Sequence, residues 1–236
     1  MSGKKRVAVM ISGRGSNLAA LIEAAQEPSY PAEIVGVVSD NPEAPGLTFA
    51  AGRGLPVAVA SRRDHPSKDA HDAAIDAALM SLKPDIVTLA GYMRLLTRGI
   101  VEKWQGRMIN IHPSLLPLFK GLDAPRRALE AGVRIHGCTV HFVTFETDEG
   151  PIIAQAAVPV LTADTEETLS ARVLKAEHKL YPLALALVAE GRARMEGGRA
   201  VFDIRGATER NAIQSVLAPD LTDDLRNLED LARFTP

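Results

Sequence analysis

The chain has 236 residues, 46% of them apolar, and 27 Lys+Arg balance 29 Asp+Glu to leave a formal charge of −2. Such a composition supports one sizeable core and excludes a disordered or fibrous chain. The near-neutral balance lacks the basic footprint of a protein that grips nucleic acid through its phosphates.

The N-terminal basic residues precede only five apolar ones (7–11) before a Gly-rich stretch, too short for a signal peptide. No stretch nears the ~20 apolar residues of a membrane span. The single cysteine, Cys138, cannot form an internal disulfide, which suits a reducing compartment, so a cytoplasmic location is expected.

Residues 6–11 read as a strand, 16–25 as a helix, 33–38 as a strand, 46–52 as a short helix and 57–60 as extended. In 68–82, Ile75, Ala78, Leu79 and Leu82 fall on one face of a helix. Pro84 ends it, and 85–90 (DIVTLA) reads as a buried strand closed by Gly91. A short helix at 97–104 leads into a strand at 107–112. This alternation predicts an α/β fold with a mostly parallel, twisted open sheet flanked by helices, whose ligands bind beyond the carboxyl ends of the strands.

From Cys138 the pattern changes. Residues 138–144 and 151–160 are extended runs joined by a polar stretch, so the sheet is expected to be mixed at this edge. Asp164 and Glu167 have capping-pair spacing ahead of a long helix carrying Leu169, Val173, Ala176 and Leu180, which Pro182 is expected to kink or restart. Residues 194–203, centred on Gly197-Gly198, read as a hairpin. Leu221, Leu225, Leu228 and Leu231 then suggest an acidic amphipathic helix. Residues 1–205 are read as one domain and 206–236 as a helical extension.

Three stretches carry candidate chemistry. Ser12-Gly13-Arg14-Gly15-Ser16-Asn17 lies between the first strand and the first helix, where glycines permit close approach to a ligand and Ser16 can cap a helix whose N-terminus suits an anion. A dinucleotide fingerprint would need glycine at Leu18 and a Walker loop would need Gly-Lys-Ser/Thr, so the loop is either a phosphate-monoester cradle or a plain capped turn. Asn110 and His112 alternate onto one face of a strand, an amide donor beside an imidazole, which are parts for holding an oxyanion and moving a proton. The other reading is a buried, satisfied histidine before a proline. Asp148, in Thr147-Asp148-Glu149-Gly150-Pro151, is either a turn former or, if its loop folds over the end of the sheet, a partner for His112.

Together ISGRGSNL, AGYMRLL (90–96), NIHPSLLP (110–117), TVHFVT…DEGPIIAQ (139–155) and AEHKLYP (176–182) resemble the phosphoribosylglycinamide formyltransferases over residues 6–195. NIHPSLLP with the later Asp-x-Gly-Pro is shared by a wider set of 10-formyltetrahydrofolate enzymes, and the Gly-Ser-Asn loop narrows the resemblance to a phosphorylated acceptor. It implies a Rossmann-like formyltransferase fold with Asn110, His112 and Asp148 as the catalytic trio. It further implies that Gly15, Ser16 and Asn17 bind the ribose phosphate of glycinamide ribonucleotide, that Glu177 binds its ribose, and that Met93, Arg94, Leu95 and Leu96 bind the folate pterin, largely through backbone. Lys68 stands where relatives often carry an arginine near the folate tail, and Asp123-Ala124-Pro125 replaces a histidine-containing stretch.

The resemblance implies formyl transfer from 10-formyltetrahydrofolate, as co-substrate, to glycinamide ribonucleotide in purine synthesis. No metal is expected, since the six histidines show no H-x₃-H spacing and a lone cysteine cannot supply Cys-x₂-Cys. The alternatives are a 10-formyltetrahydrofolate hydrolase, a formyltransferase for initiator tRNA, or a non-catalytic phosphate-ligand binder on the same scaffold. The first two usually carry a further domain before or after the catalytic part, whereas this chain opens at its first strand and closes in a short acidic tail. The binder would need only the Gly loop. A nicotinamide oxidoreductase lacks its third glycine.

Overall fold

The computed structural model describes residues 3–203. Its strands are β1 (Lys5–Ile11), β2 (Ala32–Ser39), β3 (Val57–Val59), β4 (Ile86–Leu89), β5 (Met108–His112), β6 (Ile135–Phe142), β7 (Ile152–Pro159), β8 (Ala193–Glu196) and β9 (Arg199–Phe202). The helices are α1 (Ser16–Gln26), α2 (Pro45–Ala51), α3 (Lys68–Leu82), α4 (Arg98–Lys103), α5 (Ala124–Glu130) and α6 (Glu166–Ala189). Seven strands form one sheet in the order β3-β2-β1-β4-β5-β6-β7, and β8 and β9 form a separate hairpin. The first five are mutually parallel, whereas β6 runs antiparallel to both β5 and β7. The mostly parallel sheet, mixed at its C-terminal edge, is as the sequence predicts.

Alternation along each strand divides the core into two layers. Val7, Val9 and Ile11 pack with Leu18 and Leu21 of α1 and with Leu169, Val173 and Leu185 of α6. Ala8 and Met10 face the opposite layer, with Ile75 and Leu79 of α3 and Ile100 and Val101 of α4. β4 is buried on both faces, which is why its sequence is an unbroken run rather than an alternating one. From β3 the chain crosses to β4 on the far side of β1, so the strand order reverses there and a crevice opens above the carboxyl ends of β1 and β4.

Four expectations need correction. Ser16 does not cap α1: Gly15 occupies the cap position at φ 76 and Ser16 is already helical. A Cβ on Gly15 would also meet Gly46 Cα at 3.0 Å, so glycine is needed there for conformation and for space. The cap of α6 is Thr165, in a reciprocal box with Thr168, rather than Asp164 with Glu167. Asp164 instead accepts two bonds from Arg172, at 2.6 and 2.8 Å, which hold its carboxyl well below the usual range.

Pro182 neither breaks nor restarts α6, a single 24-residue helix. Leu180, Tyr181, Ala184 and Leu185 around it are buried. At roughly 1.5–3 kcal/mol per large apolar side chain, that burial outweighs the ~3 kcal/mol that an internal proline costs. Tyr181 adds a hydroxyl donating to the Leu89 and Ile109 carbonyls, at 3.0 and 3.2 Å. Finally, β6 begins at Ile135, ahead of Cys138, and α5 is a helix that the sequence reading lacks. The amphipathic pattern at Leu221–231 lies outside the described residues.

Candidate active site

β5 presents Asn110 and His112 on the face opposite Ile109 and Ile111, which sink into the α1/α6 layer. β6 pairs antiparallel with it so that His141 stands directly across from Asn110, and cross-strand partners share a face. His141 is buried, and its Nδ1 lies 2.9 Å from the Phe142 carbonyl. A carbonyl can only accept, so Nδ1 carries the hydrogen and a neutral ring leaves Nε2 as an acceptor. Asn110 Nδ2 donates to that Nε2 at 3.2 Å. Burial lowers the His141 pKa from the ordinary histidine value, against the opposing pull of the Phe142 carbonyl and Asp148, which favours this neutral form.

Residues 143–150 bring Asp148 to this same face, at the carboxyl end of β5. Gly150 makes the approach possible, because a Cβ there would lie 1.7 Å from the Phe142 carbonyl oxygen. Asp148, at φ 55, places Oδ2 3.3 Å from His112 Nδ1 and Oδ1 3.7 Å from His141 Nε2. Gly121 N–H donates to the same Oδ2 at 2.8 Å, tying the segment after β5 to the Asp148 loop. His112 Nε2 lies 3.0 Å from the Phe119 carbonyl. Both nitrogens of His112 therefore face oxygen atoms, of Asp148 and of the Phe119 carbonyl. The loop after His112 is fixed by Thr139, whose hydroxyl donates to Ser114 O at 2.7 Å and accepts from Leu116 N–H at 3.0 Å. The three candidates Asn110, His112 and Asp148 thus converge, and the sequence reading missed the fourth member, His141. Its signal is a strand position of the same facing as Thr139, visible only once the β5–β6 register is known.

A second cluster stands at the carboxyl ends of β1 and β4. Asn17, on the first turn of α1, donates from Nδ2 to Glu177 Oε2 of α6 at 2.7 Å, across 160 positions of sequence. Both are buried, and Asn17 Oδ1 has no hydrogen-bond partner. Burial pushes the Glu177 carboxyl up, opposed by the Asn17 bond. Gly15 and Ser16 stand immediately before Asn17.

The segment after β4 divides its side chains. Met93 and Leu95 are each 65% exposed, whereas Leu96 is buried in the α3/α4 layer and offers its carbonyl to Lys68 Nζ at 3.3 Å. Lys68 is thereby brought beside the proposed folate segment. Arg94 Nε donates to Asp40 Oδ2 at 2.6 Å, and Asp40 is a second residue that the sequence reading did not single out. Among the described residues no group of three or more His, Cys, Asp or Glu is arranged to hold a metal ion, and no helix is long and apolar enough to cross a membrane.

Residues 5–185 match the formyl transferase family. The chain is 53% identical over 197 residues to the trifunctional purine biosynthetic protein adenosine-3 of Bos taurus, covering 83% of this chain and 20% of that protein. It thus spans about a fifth of the length of that relative. It is 42% identical over 199 residues to the phosphoribosylglycinamide formyltransferase of Haemophilus influenzae, covering 84% of this chain and 94% of that one. The crystal structure of glycinamide ribonucleotide transformylase 1 from Symbiobacterium toebii superposes with a TM-score of 0.83 at 46% identity, over 86% of this chain and 95% of that chain. A match over most of both chains, joined to the convergence of Asn110, His112 and Asp148, places this chain in the formyl transferase family, among the phosphoribosylglycinamide formyltransferases.

Proposed function

We propose that this protein transfers the formyl group of 10-formyltetrahydrofolate to the amine of glycinamide ribonucleotide, yielding formylglycinamide ribonucleotide and tetrahydrofolate in purine synthesis. The observation that carries the reading is that Asn110, His112 and His141 share one sheet face and the loop residue Asp148 meets both histidines there. Gly15 and Ser16 would offer backbone N–H groups at the start of α1 to the ribose phosphate, and the unpartnered Asn17 Oδ1 and the Glu177 carboxyl would meet hydroxyls. The exposed Met93 and Leu95 and the backbone of 93–96, Arg94 included, would receive the pterin of the folate, with Lys68 near the folate's glutamate tail.

In the reaction the acceptor amine forms a bond to the formyl carbon, the carbon–N10 bond breaks, and one proton passes from the amine to N10. The formyl oxygen becomes negatively charged in between. Asn110 has a second amide N–H beyond the one given to His141, and it would donate to that oxygen; His112 Nε2–H would exchange the Phe119 carbonyl for it. Asp148, against His112 Nδ1, would hold the ring in the doubly N–H-bearing form and help pass the proton, through water or directly. No step calls for a metal. Residues 1–205 would act as the catalytic domain, in the cytoplasm.

A coupled assay for tetrahydrofolate release from 10-formyltetrahydrofolate tests this, with glycinamide ribonucleotide, water or charged initiator tRNA as acceptor. Release that depends on glycinamide ribonucleotide is expected. Equal release with no acceptor would mark a hydrolase, and release only with tRNA would overturn the assigned acceptor.

A further inference from the structure

Asp40 follows the last residue of β2, the place where a dinucleotide fold keeps an acid for a ribose hydroxyl. Here both carboxylate oxygens are already engaged. Oδ1 accepts from the Ser12 hydroxyl at 2.5 Å and Oδ2 from Arg94 Nε at 2.6 Å. The Asp40 side chain is 6% exposed and that of Arg94 46%, so the carboxylate is the fixed member of the pair and the guanidinium the movable one. Ser12 opens the Gly-rich loop, and its hydroxyl oxygen also accepts from Met93 N–H at 2.9 Å. Its backbone N–H reaches the Gly91 carbonyl at 3.1 Å, and its carbonyl takes Asn41 Nδ2 at 3.1 Å.

One buried carboxylate therefore joins the segment after β1 to the segment after β4. We infer that Asp40 is a positioning residue that clamps the 12–17 loop to the 93–96 segment, so that filling one substrate subsite tightens the other. The identity of the two ligands rests on the function proposed above; the clamp itself does not. Its chemistry is a charge-assisted bond on one side and a shared serine hydroxyl on the other. A displacement of either segment loosens both, and such a coupling is reciprocal, typically ~5–150-fold in affinity.

The test uses the full chain with Asp40→Asn, which keeps an acceptor for Ser12 but removes the charge that holds Arg94, and with Ser12→Ala, which removes the shared hydroxyl. In the ligand-free proteins, hydrogen exchange at the Ser12 and Met93 amides is expected to quicken about tenfold or more in Ser12→Ala and by less in Asp40→Asn, with strand amides of β1 and β4 unchanged. Unchanged exchange at Ser12 and Met93 in both variants would overturn the clamp. Glycinamide ribonucleotide is then titrated with and without saturating tetrahydrofolate. The parent is expected to bind about fivefold or more tightly with tetrahydrofolate present, and both variants to lose most of that factor. No coupling in the parent, or the same coupling in the variants, would overturn the inference. Quickened exchange in the variants, together with a parent that binds neither ligand, would support the clamp and reject the assigned substrates instead.

Discussion

Asn110 is the residue whose replacement tests the site most directly, because its catalytic and structural contributions differ in size. It makes one recorded side-chain bond, to His141 Nε2 at 3.2 Å, from a half-buried position. Losing a neutral bond of that kind costs about 0.5–1.5 kcal/mol, which for a chain of this size lowers Tm by roughly 1–6 °C. Losing one donor to a developing oxyanion costs ~10²–10³ in kcat, or ~2.7–4 kcal/mol. Asn110→Ala is therefore expected to remain folded, to melt a few degrees lower, and to lose two to three orders of magnitude in kcat. KM should change little, because the charge it meets exists only in the transition state.

His141 refines the test. His141→Phe removes the acceptor that aims the Asn110 amide, so about a tenfold loss in kcat is expected from misorientation. The double variant should be no slower than Asn110→Ala, since the histidine acts through the amide. The pH profile has a definite sign. Burial lowers the His141 pKa, so the neutral acceptor form persists below the ordinary histidine range. Only as pH falls through that lowered value does Nε2 become a donor facing another donor, and kcat should fall with it. Steady-state kinetics and thermal melts read all of these. Near-normal turnover in Asn110→Ala, or a double variant slowed by the product of the single effects, would refute the reasoning.

Three further outcomes are expected. Gly150→Ala puts a Cβ 1.7 Å from the Phe142 oxygen, so the loop must lift Asp148 away from His112, and kcat should drop although every catalytic side chain is intact; an unchanged kcat would count against the placement of Asp148. Glu177 has its carboxyl raised by burial, so the folded protein binds more protons than the unfolded chain between the two pKa values, and stability contributed by this group falls as pH rises through that window. Glu177→Gln should accordingly stabilise the protein at pH 7 but not below about pH 4, while weakening glycinamide ribonucleotide binding; denaturant melts at the two pH values check the sign. Tyr181→Phe removes the buried hydroxyl shared between the Leu89 and Ile109 carbonyls, which keep their partners in the β4–β5 ladder, and should cost about 0.5–1.5 kcal/mol in a urea melt with kcat little altered.

What the sequence discloses of this protein follows from how local each feature is. β4 and β1 are legible because a strand buried on both faces must be written as an apolar run, and Asn110 and His112 because two positions on one strand share a face without any tertiary knowledge. The helix α5 is not legible: its seven residues bury only Ala124, Pro125 and Ala128, too little apolar pattern to rise above the surrounding loop, although Pro125 near its start is a helix-entry signal. Pro182 misleads because burial along α6, which decides the matter, is set by the sheet beneath it.

His141 and Asp40 are illegible for a deeper reason, since each acquires its role from a neighbour in the sheet rather than in the chain. The reversal of β6 is what makes the catalytic face possible. Because β6 runs back along β5, the residue opposite Asn110 is followed only seven positions later by Asp148, and a short loop can return to the same face beside His112. A parallel β6 would have needed a crossover of a dozen or more residues before it, and its following loop would have emerged at the crevice end of the sheet instead of doubling back over β5. The antiparallel edge, predicted from a run of extended segments, is thus the feature on which the meeting of amide, imidazole and carboxylate depends.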